Sequence, residues 1–96
     1  MRPSVALALK RNAIRETVSR FRSANPRIFG SVLDGTDQDG SDLDLLVDAL
    51  PGATLLDLGD LEDALQSLLG IEVEVCTPGD LPAKFRAQVL ATAQPV

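Results

Sequence analysis

The sequence contains no histidine, tyrosine or tryptophan, and its 96 residues include one cysteine and three phenylalanines. The absence of histidine excludes Ser-His nucleophilic catalysis, His-ligated zinc and imidazole acid/base chemistry. Cys76 alone can form neither an intramolecular disulfide nor a thiolate metal cluster. Because Val73 and Val75 indicate a strand here, we interpret Cys76 as a small apolar side chain on that strand. Any chemistry must therefore use carboxylates and hydroxyls.

Long apolar runs are also absent. No stretch approaches the roughly 20 apolar residues that a membrane-spanning helix needs, and the first residues lack the apolar block and cleavage site of a signal peptide. With 45% apolar and 24% charged residues, the composition is typical of a soluble globular protein. We expect a single cytoplasmic domain over residues 1–96 that does not interact with membranes and is small enough to gain stability from a partner.

Charge is divided unevenly along the chain. Residues 1–27 hold seven bases against one acid, a net charge of +6, whereas residues 28–96 hold two bases against thirteen acids, a net charge of −11. The basic end could meet an anion, or it could be a solvated helix face. The acidic remainder would repel free nucleic acid, so we expect no direct nucleic-acid binding.

Apolar periodicity and turn residues predict an α/β (α+β) domain of order α-β-(α)-β-α-β-α. Such an order describes a small mixed sheet of about three strands with helices mainly on one face. The predicted elements are a helix from Pro3 to about Ala24 ended by Asn25-Pro26, a strand Arg27–Phe29, a short helical turn from Ser31 to Gly35, a strand Ser41–Leu50, a helix Leu55–Leu69, a strand Ile71–Cys76 and a helix from Leu81 to about Thr92.

Two carboxylates occupy one face of the second predicted strand. Asp42 and Asp44 lie two residues apart, so their side chains project to the same side with roughly 7 Å between α-carbons. Magnesium prefers such oxygen ligands and leaves positions open for substrate phosphates. A third acid from the next strand would complete a two-metal site. Glu74 suits this position, and Glu72, on the same predicted face, is the alternative if the register differs by two residues.

Gly30 and Ser31 have the residue types of a phosphate-binding turn. Glycine lets backbone N–H groups approach a ligand closely, and serine adds an uncharged donor. Six acids lie between Asp34 and Asp48, so a triphosphate could approach only if metal ions neutralised both sides. Charge balance therefore predicts a metal-dependent site.

The stretch from Gly30-Ser31 through Gly35 to Ser41-Asp42-Leu43-Asp44-Leu45 resembles the signature G-S-x-x-x-G-x-x-x-x-x-S-D-x-D-L of the DNA polymerase beta-like nucleotidyltransferase superfamily. The later segments, including Val73 to Leu81, are similar to its minimal, antitoxin-type branch, so the resemblance covers nearly the whole chain. The resemblance implies a nucleotidyltransferase fold. It also implies that two Mg²⁺ ions are bound by Asp42, Asp44 and Glu74, and that the triphosphate is bound by Gly30, Ser31 and Ser41.

Members of this branch are usually encoded beside a HEPN-domain ribonuclease toxin and neutralise it by adenylylating a tyrosine. The resemblance therefore implies an antitoxin enzyme that transfers AMP from ATP to a tyrosine hydroxyl of a cognate HEPN toxin, with which it forms a hetero-oligomer. Because this chain has no tyrosine, it cannot modify itself on that residue type. The acceptor must come from another molecule.

Two departures from the family pattern support a rival function. Glu74 stands where the family commonly has aspartate, and Asp34 lies where many members carry arginine. The longer side chain changes the metal geometry, and the acid removes a phosphate contact. The chain could therefore be a binding-only antitoxin that blocks its toxin by occlusion. Nucleotide transfer to RNA or a small molecule is a further alternative, disfavoured by the small size and the acidic surface.

Overall fold

Four helices and four strands alternate along the chain in the computed structural model, which describes all residues from Met1 to Val96. None of the helices is both long and apolar enough to cross a membrane. The elements are α1 (Pro3–Arg20), β1 (Ser23–Phe29), α2 (Ser31–Asp34), β2 (Leu43–Ala49), α3 (Leu55–Leu69), β3 (Val73–Cys76), a 3₁₀ turn (Pro78–Asp80), α4 (Ala83–Thr92) and β4 (Gln94–Pro95).

The strands form one mixed sheet in the order β3-β2-β1-β4. Strand β1 runs antiparallel to β2 and β4, and β2 runs parallel to β3. The predicted mixed sheet is confirmed, but it has four strands instead of about three. The additional strand, β4, has two residues, and Val96 beyond it is buried and donates its N–H to the Pro26 carbonyl at 3.0 Å. A two-residue strand containing proline shows no alternation, so periodicity could not predict it.

The core lies between the sheet and the pair α1 and α3. Leu43, Leu45 and Val47 alternate along β2 and are fully buried in one cluster with side chains of both helices, among them Ile14, Val18, Leu61 and Leu65. Each such side chain contributes roughly 1.5–3 kcal/mol by leaving water. Asp44 and Asp48 alternate with these residues and therefore face the other side of the sheet. The predicted placement of helices mainly on one face is confirmed.

Helix α3 begins and ends at the residues that the sequence predicts, because residues next to each end favour helix initiation or termination there. Thr54 and Asp57 form a capping box at its start, which satisfies N–H groups that the helix itself leaves unpaired. Gly70 ends the helix with φ of 69°, a left-handed conformation that glycine adopts without a steric penalty.

The predicted junction between α1 and β1 is wrong. The helix ends at Arg20 instead of about Ala24, and the strand begins at Ser23 instead of Arg27. Asn25-Pro26, expected to end the helix, forms an irregularity within β1, where the register with β2 shifts between Ala24 and Arg27. Asn25 has φ of 54° there, and a bulge also tolerates a proline because its missing N–H has no ladder partner.

Candidate active site

The pairing of β2 with β3 brings two of the predicted acids side by side. Asp44 is the register partner of Glu74, and adjacent strands are about 4.8 Å apart. Asp42 immediately precedes β2, two residues before Asp44, so its side chain projects to the same face as Asp44. Asp44 is half-buried, while Asp42 and Glu74 are exposed. The structure thus groups these three acids at the beginning of β2, on the face of the sheet opposite α1 and α3.

The carboxylates of this group repel one another. Burial, together with the negative charges of Glu74 and Asp42, raises the pKa of Asp44 to about 6. The three ion pairs of the structure join Met1 to Asp39, Arg20 to Glu16 and Arg27 to Asp48. None of the three grouped acids is therefore neutralised by a basic side chain, and a cation would relieve their repulsion.

Glu72, the alternative third acid, is not the partner of Asp44. Its carbonyl accepts the N–H of Leu43 at 2.9 Å, and the residue lies beside Gly40 and Ser41 at a cavity of about 410 Å³. The register therefore pairs Asp44 with Glu74.

The grouped acids match magnesium in donor chemistry but do not form a closed metal cage. Carboxylate oxygens without a basic partner are the ligands that a hard divalent cation prefers. However, three or more His, Cys, Asp or Glu side chains do not converge in metal-binding geometry anywhere in the chain. A metal ion held by Asp42, Asp44 and Glu74 would have to draw these side chains together.

The backbone of Gly30 lies against the side chain of Asp44. Its φ of 72° and ψ of −147° belong to a region that essentially only glycine occupies. A Cβ added at this position would overlap Asp44 Oδ2. Glycine is therefore required here both for its backbone conformation and for the space that the carboxylate fills. Ser31 follows as the first residue of α2, which confirms the predicted helical turn, and its half-buried hydroxyl has no hydrogen-bond partner within the chain.

Ser41 closes a turn in the loop before β2. Its hydroxyl accepts the N–H of Gln38 at 2.9 Å, and its own N–H donates to the Gln38 carbonyl at 3.0 Å. These bonds hold the chain just ahead of Asp42. A contact between Ser41 and a nucleotide stays a prediction.

Comparison with known proteins identifies the family. Residues 10–94 match the nucleotidyltransferase domain family. The chain belongs to this family. The resemblance drawn from the motif between Gly30 and Leu45 is confirmed, and the chain is a minimal nucleotidyltransferase.

The nucleotidyltransferase is similar to the protein adenylyltransferase MntA of Thermococcus cleftensis, with 33% identity over 76 residues, 79% of this chain and 77% of the relative. A solved structure described as a minimal nucleotidyltransferase is 39% identical, with a TM-score of 0.86 over 97% of this chain and 95% of that one. A toxin–antitoxin structure with AMP-PNP has a TM-score of 0.74 at 22% identity, over 88% of this chain and 69% of that one. This third likeness concerns the fold alone.

Asp37 anchors the loop before β2 of the nucleotidyltransferase, a role that no local sequence pattern indicates. Its carboxylate accepts the N–H of Ser4 in the first turn of α1 at 2.9 Å, and this hydrogen bond lowers the pKa of Asp37. Nearby, the amino group of Met1 pairs with Asp39 at 3.3 Å. Residues 33 positions apart leave no local pattern. The loop that precedes Asp42 is thus fastened to α1.

Cys76 lies half-buried on β3 beside this site. Burial and, to a smaller extent, the negative charge of Glu74 raise the pKa of its thiol to about 11. The thiol therefore stays protonated at neutral pH and is a poor nucleophile. This agrees with its interpretation as a small apolar residue.

Proposed function

We propose that this nucleotidyltransferase transfers AMP from ATP to a tyrosine hydroxyl of a cognate HEPN-domain ribonuclease toxin and thereby neutralises it. The observation that carries the proposal is the pairing of Asp44 with Glu74, next to Asp42 and above Gly30. Support also comes from the relative MntA, a protein adenylyltransferase.

Asp42, Asp44 and Glu74 would hold two Mg²⁺ ions. Bound there, magnesium would neutralise the phosphate charge and activate the attacking oxygen. Asp44 is suited to a fixed ligand because it is half-buried and confined by Gly30. Glu74 is exposed, so its carboxylate can accept the proton of an incoming hydroxyl. The hydroxyl oxygen forms a bond to the α-phosphorus, and the bond from that phosphorus to the departing pyrophosphate breaks.

Gly30 and Ser31 would hold the triphosphate, with Ser41 beside them. The Ser31 hydroxyl is free to donate to a phosphate oxygen, and no basic side chain forms an ion pair with the grouped acids. A triphosphate carrying several negative charges would be repelled by these acids alone. We therefore propose that nucleotide binding requires magnesium.

The acceptor tyrosine must belong to the partner, because this chain contains none. Asp42 and Glu74 are exposed, so a segment of another protein can reach them. The strongly acidic residues 28–96 make RNA a poor acceptor, since they would repel its phosphates.

A binding-only antitoxin is the second candidate, and two observations favour it. The acids do not form a closed metal cage. Asp34 is exposed at the end of α2, beside the proposed phosphate site, where its charge would repel a nucleotide. Such a protein would block the toxin by occlusion.

Incubation with labelled ATP, Mg²⁺ and the cognate toxin separates the two functions. We expect label on a toxin tyrosine, identified by mass spectrometry, and its loss in Asp42→Asn and Asp44→Asn. Asp63→Asn, an exposed acid on α3 on the other side of the sheet, is the matched control and should transfer normally. If both site variants still inhibit the ribonuclease without labelling it, occlusion is the function.

A further inference from the structure

Helix α1 bends at Lys10 and forms a shallow cavity on its outer surface. Lys10 has φ of −131° and ψ of 28°, outside the helical range. Its ammonium donates to the Leu68 carbonyl near the end of α3 at 3.0 Å. The cavity of about 490 Å³ lies around this bend. We call the surface formed by Leu9, Lys10, Arg11, Arg15 and Leu68 the basic face.

No acidic side chain neutralises the positive charge of the basic face. No ion pair of the structure involves Lys10, Arg11 or Arg15. Lys10 donates to the Leu68 carbonyl, and Arg15 donates to Asn12 Oδ1 and to an oxygen of Val96, whereas Arg11 has no hydrogen-bond partner. Lys10 and Arg11 therefore face no acidic side chain, in a chain that has fourteen acids.

An apolar side chain stands among these cations. Leu9 is 70% exposed, and Leu68 is partly exposed on the cavity wall. Protein interfaces are enriched in arginine and apolar at their centre, and this surface presents both kinds of group. A polynucleotide would gain nothing from Leu9, and the net charge of −5 would oppose its approach.

We infer that the basic face binds an acidic segment of the partner protein, with an apolar side chain of that segment against Leu9. The inference rests on the proposed function, because it takes the HEPN-domain toxin as the partner. The basic face lies on α1 and the end of α3, and both helices cover the opposite side of the sheet from Asp44 and Glu74. Toxin binding at the basic face and AMP transfer at the acids therefore take place on different surfaces of the protein.

The test measures binding of the full chain to the cognate toxin by titration calorimetry at low and high salt. Arg11→Glu places a negative charge on the basic face at an exposed residue with no partner to lose, and Leu9→Glu removes the apolar contact. Arg20→Glu is the control, an equal charge change on an exposed residue of the same helix. Its ion pair with Glu16, 4.0 Å long between two exposed side chains, contributes little to stability. The fold of each variant is checked by its unfolding temperature.

We expect the wild-type affinity to fall with salt and each basic-face variant to bind roughly tenfold or more weakly, with Arg20→Glu near wild type. Folded Arg11→Glu and Leu9→Glu proteins that bind the toxin like wild type would overturn the inference while leaving the proposed function intact. Absence of any wild-type complex would instead overturn the choice of partner. Binding of single-stranded RNA, or self-association, that Arg11→Glu abolishes would assign the surface to another occupant.

Discussion

Asp44→Asn should stabilise the metal-free protein at neutral pH. A carboxyl whose pKa rises from 3.8 to about 6 on folding opposes the folded state by up to about 3 kcal/mol, at 1.36 kcal/mol per pKa unit. Asp44 is only half-buried, and solvent screening reduces this to about 1 kcal/mol. For a domain of this size, that corresponds to an increase of about 4–8 °C in unfolding temperature.

The sign of the pH dependence follows from the raised pKa. Between about pH 4 and 6 the folded protein keeps a proton on Asp44 that the unfolded chain has released. This contribution to stability is therefore present below pH 4 and lost as the pH rises through 6. Wild-type protein should be less stable at pH 7.5 than at pH 5, and Asp44→Asn should show a smaller difference.

Thermal unfolding at the two pH values, with and without Mg²⁺, measures both effects. Magnesium should stabilise the wild type at pH 7.5 by mass action on the folded state, ATP should add to this, and Asp44→Asn should respond less. Asp63→Asn is the control for loss of one exposed carboxylate. The reasoning is refuted if Asp44→Asn lowers the unfolding temperature at pH 7.5 or leaves the pH dependence unchanged.

Three further substitutions test how the site is held. Gly30→Ala should lower AMP transfer by roughly 100-fold, because the added methyl group displaces the carboxylate of Asp44. The control is Gly59→Ala, in open space within α3, which should raise the free energy of unfolding measured in urea by about 1 kcal/mol. Glu74→Gln should reduce transfer by about 10²–10⁴-fold and Glu72→Gln much less, and equal rates for the two variants would contradict the register. Asp37→Asn should lower the unfolding temperature at pH 7. The pKa of Asp37 is lowered in the folded state, so the stability that this carboxylate contributes to the wild type should be lost as the pH falls below about 4.

Local patterns sufficed for the elements whose signals lie within a few residues. The leucine spacing and the final glycine predicted α3, and the alternation between Leu43 and Val47 predicted β2 with its acids on one face. The motif of glycine, serine and aspartate predicted the family. These features depend on contacts close in the sequence, which a single chain reveals.

Features that depend on distant contacts could not be predicted in the same way. Asn25-Pro26 ordinarily ends a helix, but pairing with β2 accommodates it as a bulge in a strand. The sequence left Glu72 and Glu74 as alternatives, and only the parallel register between β2 and β3 distinguishes them. The bond from Ser4 to Asp37 joins residues that tertiary folding alone brings together.

The metal site can be tested most directly by a crystal structure of the chain with Mn²⁺ and a non-hydrolysable ATP analogue, in which anomalous scattering locates the metal. We expect manganese between the carboxylates of Asp42 and Asp44, with Glu74 turned toward it and the triphosphate beside Gly30. Anomalous peaks absent from these carboxylates, with nucleotide bound elsewhere on the protein, would contradict the proposed catalytic site.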